Sequence, residues 1–315
     1  MSLPTAVEVT ALRASVLGWY HESGRRLAFR GTTDPYLVLV SETILQQTQV
    51  SRGGPAWERF TRRFPTIEAL AAASPAEVLR AWRGLGYNRR ALNLQRTARI
   101  VVAEQDGRLP RDVAGLERLP GVGPYTARAV AAIAYGLPVG AVDTNVRRVL
   151  GRALAGDPAD LRPAELQAIA DRVVPPDQSS DWTHALMDLG STVCRPRDPA
   201  CGDCPLRVGC RYVAATRRRA GDRAGRGPAA SSPRNGDGAA VRERRVPFAA
   251  TSRWLRGRIL DRLREADDPA WTAIVAPIGE HDGPAVGAAL RALARDGLIE
   301  LDRAADPPRA RLPVA

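Results

Sequence analysis

Apolar positions recur at helical spacing along most of this chain. From Thr5 to Glu22, Val9, Leu12, Val16, Leu17 and Tyr20 fall on one face, which predicts an amphipathic helix. Residues 35 to 51 are more continuously apolar and carry a single charge, Glu42. From Trp57 to Glu104 the pattern reads helix, turn, helix, with Thr66 as one N-cap and Ser74-Pro75 as the start of the next helix. Leu119-Pro120-Gly121-Val122-Gly123-Pro124 then breaks the periodicity. A further helix follows, with Ala127, Val130, Ala131 and Ala134 in step and a stop at Gly136, and Asp143 opens another. Near the C-terminus, Trp254, Leu255, Ile259, Leu260 and Leu263 form one helical face and Val286, Ala289, Leu290 and Leu293 a second. Residues 296 to 301 read as a turn and a strand.

Composition narrows what such a helical chain does. Its 315 residues allow two or three domains, and its net charge of +12 favours a polyanionic partner. All 46 basic residues are arginine, so no lysine side chain can form a Schiff base with an opened sugar. A high-GC genome gives the same bias. No apolar run of about 18 residues occurs and no export signal opens the chain, which points to a cytoplasmic, nucleoid-associated bacterial protein with no membrane partner.

Five stretches carry candidate chemistry. If residues 35 to 51 are helical, the neighbours of Glu42 one turn away are Val38, Leu39, Leu45 and Gln46, three of them apolar. A carboxyl so placed is desolvated and becomes a proton donor near neutral pH; the competing reading is an exposed glutamate on the polar side of a core helix. Gln46-Gln47-Thr48-Gln49 offers amides for base edges or a gap in a base stack. Gly84-Leu85-Gly86-Tyr87-Asn88-Arg89-Arg90 fits an aromatic wedge with phosphate-holding arginines, or an ordinary loop with a packed tyrosine. The glycine-rich turn at Gly121 and Gly123 opens a helix and exposes backbone N–H groups suited to phosphate, or is a plain helix-helix turn. Asp143 is the N-cap of its helix, a role compatible with stabilising a sugar oxocarbenium ion.

The strongest pattern is Cys194, Cys201, Cys204 and Cys210, four thiols within 17 residues at C-x6-C-x2-C-x5-C. Such crowding signals a metal site. Zinc usually takes two tight pairs and only Cys201 and Cys204 are tight, so an iron–sulfur cluster fits better than structural zinc.

Taken together, Ser41-Glu42 through Leu45-Gln46-Gln47-Thr48-Gln49-Val50, Gly84-Leu85-Gly86-Tyr87, Leu119 to Gly123, Val142-Asp143 with Asn145-Val146, and the four cysteines resemble, in order, the endonuclease III superfamily of helix-hairpin-helix base-excision glycosylases, MutY branch. The resemblance covers residues 25 to about 215 and implies an all-α, two-lobed fold. Its six-helix lobe would span roughly 25–140, and its iron–sulfur lobe 1–24 with 141–215. It also implies a [4Fe–4S] cofactor and a monomer acting on double-stranded DNA that holds a mispair. By the same resemblance Glu42 is the acid at purine N7, Asp143 stabilises the C1′ cation, and Asn145 supports Asp143. Tyr125 stands where bifunctional relatives carry the Schiff-base lysine. Gln47 and Tyr87 match residues that enter the duplex beside the opposite base, with Leu45 and Thr48 in the same motif. Arg30 and His184 fall near the base pocket, and Gly121 and Gly123 on the DNA backbone.

Several positions depart from the family pattern. Leu27-Ala28-Phe29-Arg30 stands for Leu-Pro-Trp-Arg, Asn88 for a second tyrosine, Thr144 for glycine, and His184 for Glu or Gln. In place of a Nudix-like C-terminal domain, residues 216–250 hold nine arginines against Asp222, Asp237 and Glu243, which predicts a disordered linker with salt-sensitive phosphate affinity. Residues 251–305 resemble a small winged-helix module, and 306–315 read as a tail. The expected function is removal of adenine mispaired with 8-oxoguanine or guanine, leaving an abasic site with the strand uncut. The alternatives are a thymine or uracil mismatch glycosylase of the same superfamily and a non-catalytic iron–sulfur DNA-binding protein.

Overall fold

Thr5 sets the start of helix α1 (Ala6–Ser23): its side chain accepts from the Glu8 N–H, and the Glu8 carboxylate accepts from the Thr5 N–H at 2.8 Å. That reciprocal pair satisfies donors every helix start leaves free. In the computed structural model, which describes residues 3–224, 247–266 and 270–314, the same device recurs along the chain. Helices α2 (Pro35–Leu45) and α3 (Val50–Arg63) are followed by α4 (Ile67–Ala72), capped by Thr66, and α5 (Pro75–Ala81), capped by Ser74. Next come α6 (Arg89–Glu104), α7 (Val113–Glu117) capped by Asp112, α8 (Pro124–Tyr135), and α9 (Thr144–Leu154) capped by Asp143. Helices α10 (Pro163–Val173), α11 (Ser179–Asp188) and α12 (Arg211–Ala224) complete this part. Towards the C-terminus are α13 (Ser252–Glu265), β1 (Thr272–Ala273), α14 (Gly283–Arg295), β2 (Glu300–Asp302) and β3 (Arg309–Arg311).

The chain folds as two units, residues 1–42 with 109–233 and residues 43–108 with 234–315. In the first, Val9, Leu12 and Val16 of α1, Val149 and Leu150 of α9, Leu166 and Ile169 of α10, and Trp182 and Leu186 of α11 share one core, on whose edge Cys194 and Cys204 pack. Helix α8 lies against both α7 and α11, so the hairpin is anchored on its buried face by Val130, Ala131 and Ile133. In the second unit, Phe60, Phe64 and Trp82 meet edge to face at 5.1 and 5.5 Å, and α6 lies along α4 and α5. The C-terminal segment of this unit closes with a three-stranded antiparallel sheet in the order β1-β3-β2, with Thr272 and Leu301 both opposite Ala310. Among the described residues no helix is long and apolar enough to cross a membrane.

Three expectations are corrected. The helix expected over 35–51 ends at Leu45, because Gln47 takes a left-handed φ of 55°, and the chain restarts at Val50. The expected linker starts inside α12, which runs to Ala224; its stretch 225–246 lies outside the described residues. The expected tail supplies β3, the middle strand of the sheet.

Candidate functional site

Helix α2 carries Glu42 into the protein interior, 6% exposed, on a helix whose Val38, Leu39 and Val40 are also buried. Burial raises its carboxyl from the ordinary 4.5 to about 7, and the nearby Asp143 carboxylate pushes the same way. A hydrogen bond from the Tyr125 hydroxyl and the Arg30 charge oppose that shift without cancelling it. Tyr125, on the first turn of α8, is itself pushed well above the usual tyrosine range by burial and by Glu42, so its hydroxyl keeps its proton. The hydroxyl also lies 3.7 Å from the Met187 sulfur, a second acceptor when Glu42 is protonated.

Asp143 is held by hydrogen-bond donors. Its Oδ1 accepts from the Val146 N–H at 2.7 Å and its Oδ2 from the Asn145 amide at 2.9 Å. Two carboxyls therefore stand near each other in unlike surroundings, one apolar and one ringed by donors. Gly190 belongs to this framework, since a Cβ there would meet the Asn145 side chain at 2.6 Å. Arg148 extends it, donating to Asn145 Oδ1 at 2.7 Å, to the Gly190 carbonyl at 2.6 Å and to the Cys194 carbonyl at 2.6 Å.

The four cysteines line one cavity, with Val149, Ala153, Leu189, Val193 and Leu206 as its apolar wall. Among the described residues no three His, Cys, Asp or Glu side chains are placed to hold a single metal ion. The thiols instead surround a space, with the Arg152 guanidinium 3.5 Å from Cys194 Sγ and stacked 4.8 Å from the Tyr212 ring. Four sulfur donors around an apolar hollow with the Arg152 cation alongside suit a polynuclear anionic cluster.

Arg30 and His184 share a third cluster. Arg30 binds Asp188 in a two-pronged pair at 2.7 Å per prong, and Arg25 adds its backbone N–H at 2.9 Å. Asp188 is fully buried and these donors hold its carboxyl below the ordinary range despite burial. His184, 8% exposed, is lowered to about 3 by burial and by Arg30, which leaves a neutral imidazole. Asp188, Arg25 and Arg148 escape the sequence reading, because Asp188 and Arg25 meet across 163 positions and Arg148 reaches Gly190 and Cys194 across 42 and 46.

The duplex-facing candidates of the second unit occupy two adjoining turns. Gln47 is exposed at φ 55°, and Tyr87 is 47% exposed at φ 45° directly after two left-handed glycines, Gly84 and Gly86. Left-handed non-glycine residues cost about 1–3 kcal/mol each and persist where the surroundings impose them. Arg90 imposes both: it donates to the carbonyls of Thr43, Ile44 and Gln46 on one turn and of Leu85 and Gly86 on the other. Half-buried Leu45 and Thr48 are joined by a backbone bond of 3.2 Å from the Thr48 N–H to the Leu45 carbonyl.

Residues 40–176 match the HhH-GPD superfamily of base excision DNA repair proteins. The chain is 43% identical over 290 residues to an adenine DNA glycosylase of Mycolicibacterium smegmatis, covering 90% of this chain and 91% of that one. It is 40% identical over 289 residues to an adenine DNA glycosylase of Mycobacterium tuberculosis, covering 90% and 89%. Among solved structures it resembles a thermostable thymine-DNA glycosylase, with a TM-score of 0.62, 29% identity, and coverage of 66% of this chain and 97% of that one. On these matches this chain belongs to the HhH-GPD superfamily of base excision DNA repair proteins, in its adenine DNA glycosylase family.

Proposed function

We propose that this protein removes adenine from duplex DNA where it is mispaired with 8-oxoguanine or guanine, and that it leaves the strand uncut. The observation that carries the reading is the pairing of Glu42, a carboxyl near 7, with Asp143, a carboxylate held by two donors. An extruded adenine takes the Glu42 proton at N7. The C1′–N9 bond then breaks, its electron pair stays on the purine, and the Asp143 carboxylate faces the cation left at C1′. Water adds at C1′ and gives up a proton to the Glu42 carboxylate, which restores the acid and leaves the abasic site. Asn145 fixes Asp143, and Tyr125, which cannot form a Schiff base, supports hydrolysis without strand scission.

Neutral His184 offers one donor and one acceptor to the flipped base, and Arg30 shapes that pocket through Asp188 instead of contacting the base with its fork. Gly121 needs its glycine for a φ of 78°, whereas a Cβ at Gly123 would meet nothing within 4 Å. An open backbone at the start of α8 suits a DNA phosphate. Gln47, Tyr87, Leu45 and Thr48 enter or flank the duplex opposite the extruded base. Cys194, Cys201, Cys204 and Cys210 hold a [4Fe–4S] cluster, which when bound ties the loop of residues 194–210 to α9. The protein works as a monomer.

A thymine or uracil reading draws on Tyr125 and on the likeness to the thymine-DNA glycosylase, but the adenine relatives align over 90% of this chain against 66% for that structure. The test is excision by parent, Glu42→Gln and Asp143→Asn proteins on an A:8-oxoguanine duplex. Both variants are expected to bind the duplex and release no adenine; excision by either at the parental rate overturns the assignment.

A further inference from the structure

The C-terminal segment of the second unit is built onto the turn that carries Tyr87. Arg264 of α13, its side chain 5% exposed, donates to the Leu79 carbonyl at 2.9 Å, to Asp261 at 3.1 Å and to the Asn88 amide oxygen at 2.7 Å. One nitrogen thus reaches the residue next to Tyr87, one holds the end of α5, and the third is steadied within α13 by Asp261. The contact is returned, since Arg80 of α5 donates to the Arg264 and Ala266 carbonyls, Arg83 pairs with Glu265, and the Ala76 N–H donates to the Pro313 carbonyl at 3.1 Å. The second residue of α13, the exposed Arg253, lays its guanidinium over the Tyr87 ring at 4.6 Å, closer than Arg90 at 5.6 Å. Nothing in such a stack reads a base; it fixes where an exposed aromatic points.

We propose that the C-terminal module acts as the support of the Tyr87 wedge, with Arg264 its buried anchor on Asn88 and Arg253 its contact with the ring. Arg253 is a positioning residue, and its effect on DNA passes through Tyr87. Asn88, where the family pattern has a tyrosine, is then an adaptation to this module: a short amide at that place accepts from Arg264. The inference rests on the proposed entry of Tyr87 into the duplex.

The test is a double-mutant cycle with Arg253→Ala and Tyr87→Ala in the full-length protein, read by fluorescence of 2-aminopurine beside the opposite base and by the ratio of excision rates for A:8-oxoguanine over A:G. An exposed guanidinium–ring contact corresponds to an effect of about two- to five-fold. Arg253→Ala is expected to reduce both readouts by that factor in the parent and to leave them unchanged in the Tyr87→Ala background. Arg262→Ala, an exposed arginine on the same helix, is expected to leave both readouts as in the parent. An Arg253→Ala effect that persists undiminished without Tyr87 makes Arg253 an independent DNA contact and overturns the proposal. So does a loss from Tyr87→Ala with none from Arg253→Ala. If Tyr87→Ala itself changes nothing, the wedge reading fails first.

Discussion

Glu42→Gln separates the catalytic cost of the site from its stability cost. A carboxyl with an ordinary value of 4.5 that sits at about 7 when folded binds its proton more tightly in the native state. Its stabilising proton is fully present below 4.5 and is lost as pH rises through 7, so the ionised side chain weakens the fold progressively across that window. At about 1.4 kcal/mol per tenfold, glutamine should outdo glutamate by about 1 kcal/mol at about pH 5.5 and by about 3 kcal/mol at about pH 8.5. Glutamine alters hydrogen bonding to Tyr125 as well, but that difference does not depend on pH. The informative quantity is therefore the widening of the gap, about 2 kcal/mol, or roughly 3 °C in melting temperature for a chain of 315 residues. Thermal melts of parent and Glu42→Gln proteins across that range measure it directly. A gap that stays constant, or narrows with rising pH, would refute the claim that the carboxyl is desolvated.

Further outcomes follow from the same contacts. Tyr125→Phe removes a hydrogen bond that favours ionised Glu42, so the alkaline limb of the single-turnover excision profile should move to higher pH; a move to lower pH contradicts the assignment. Asp188→Asn leaves Arg30, whose side chain is 9% exposed, without its carboxylate, and should cost about 3–5 kcal/mol in a denaturation experiment, with less than about 1 kcal/mol counting against the clamp. Borohydride added during turnover should trap no covalent protein–DNA product, because the sequence contains no lysine. Trapping accompanied by strand scission would contradict hydrolysis alone.

How far the sequence carries depends on the range of each interaction. Glu42 was legible because its desolvation comes from neighbours one turn away, Val38 and Leu39, and Asp143 because an N-cap is defined by the next three residues. The cysteines announced their cavity by crowding into one loop. By contrast Asp188 gives no local sign of its role, since Arg25 and Arg30 reach it from 163 and 158 positions away. Arg264 and Asn88 stand 176 positions apart, and neither residue type stands out in its own stretch. The early stop of α2 was missed because Gln46 and Gln47 are not breakers; Arg90, on another helix, holds the carbonyls there. A three-residue strand such as β3 exists only by pairing, here with the neighbouring β2 and the more distant β1, so a Pro-rich segment resembled a tail.

The most direct test is release of free base by the purified, cluster-loaded protein from parallel duplexes containing A:8-oxoguanine, A:G, T:G and U:G. Adenine should be released from the first two, with the strand intact until alkali cleaves the abasic site. Release of thymine or uracil alone would contradict the account.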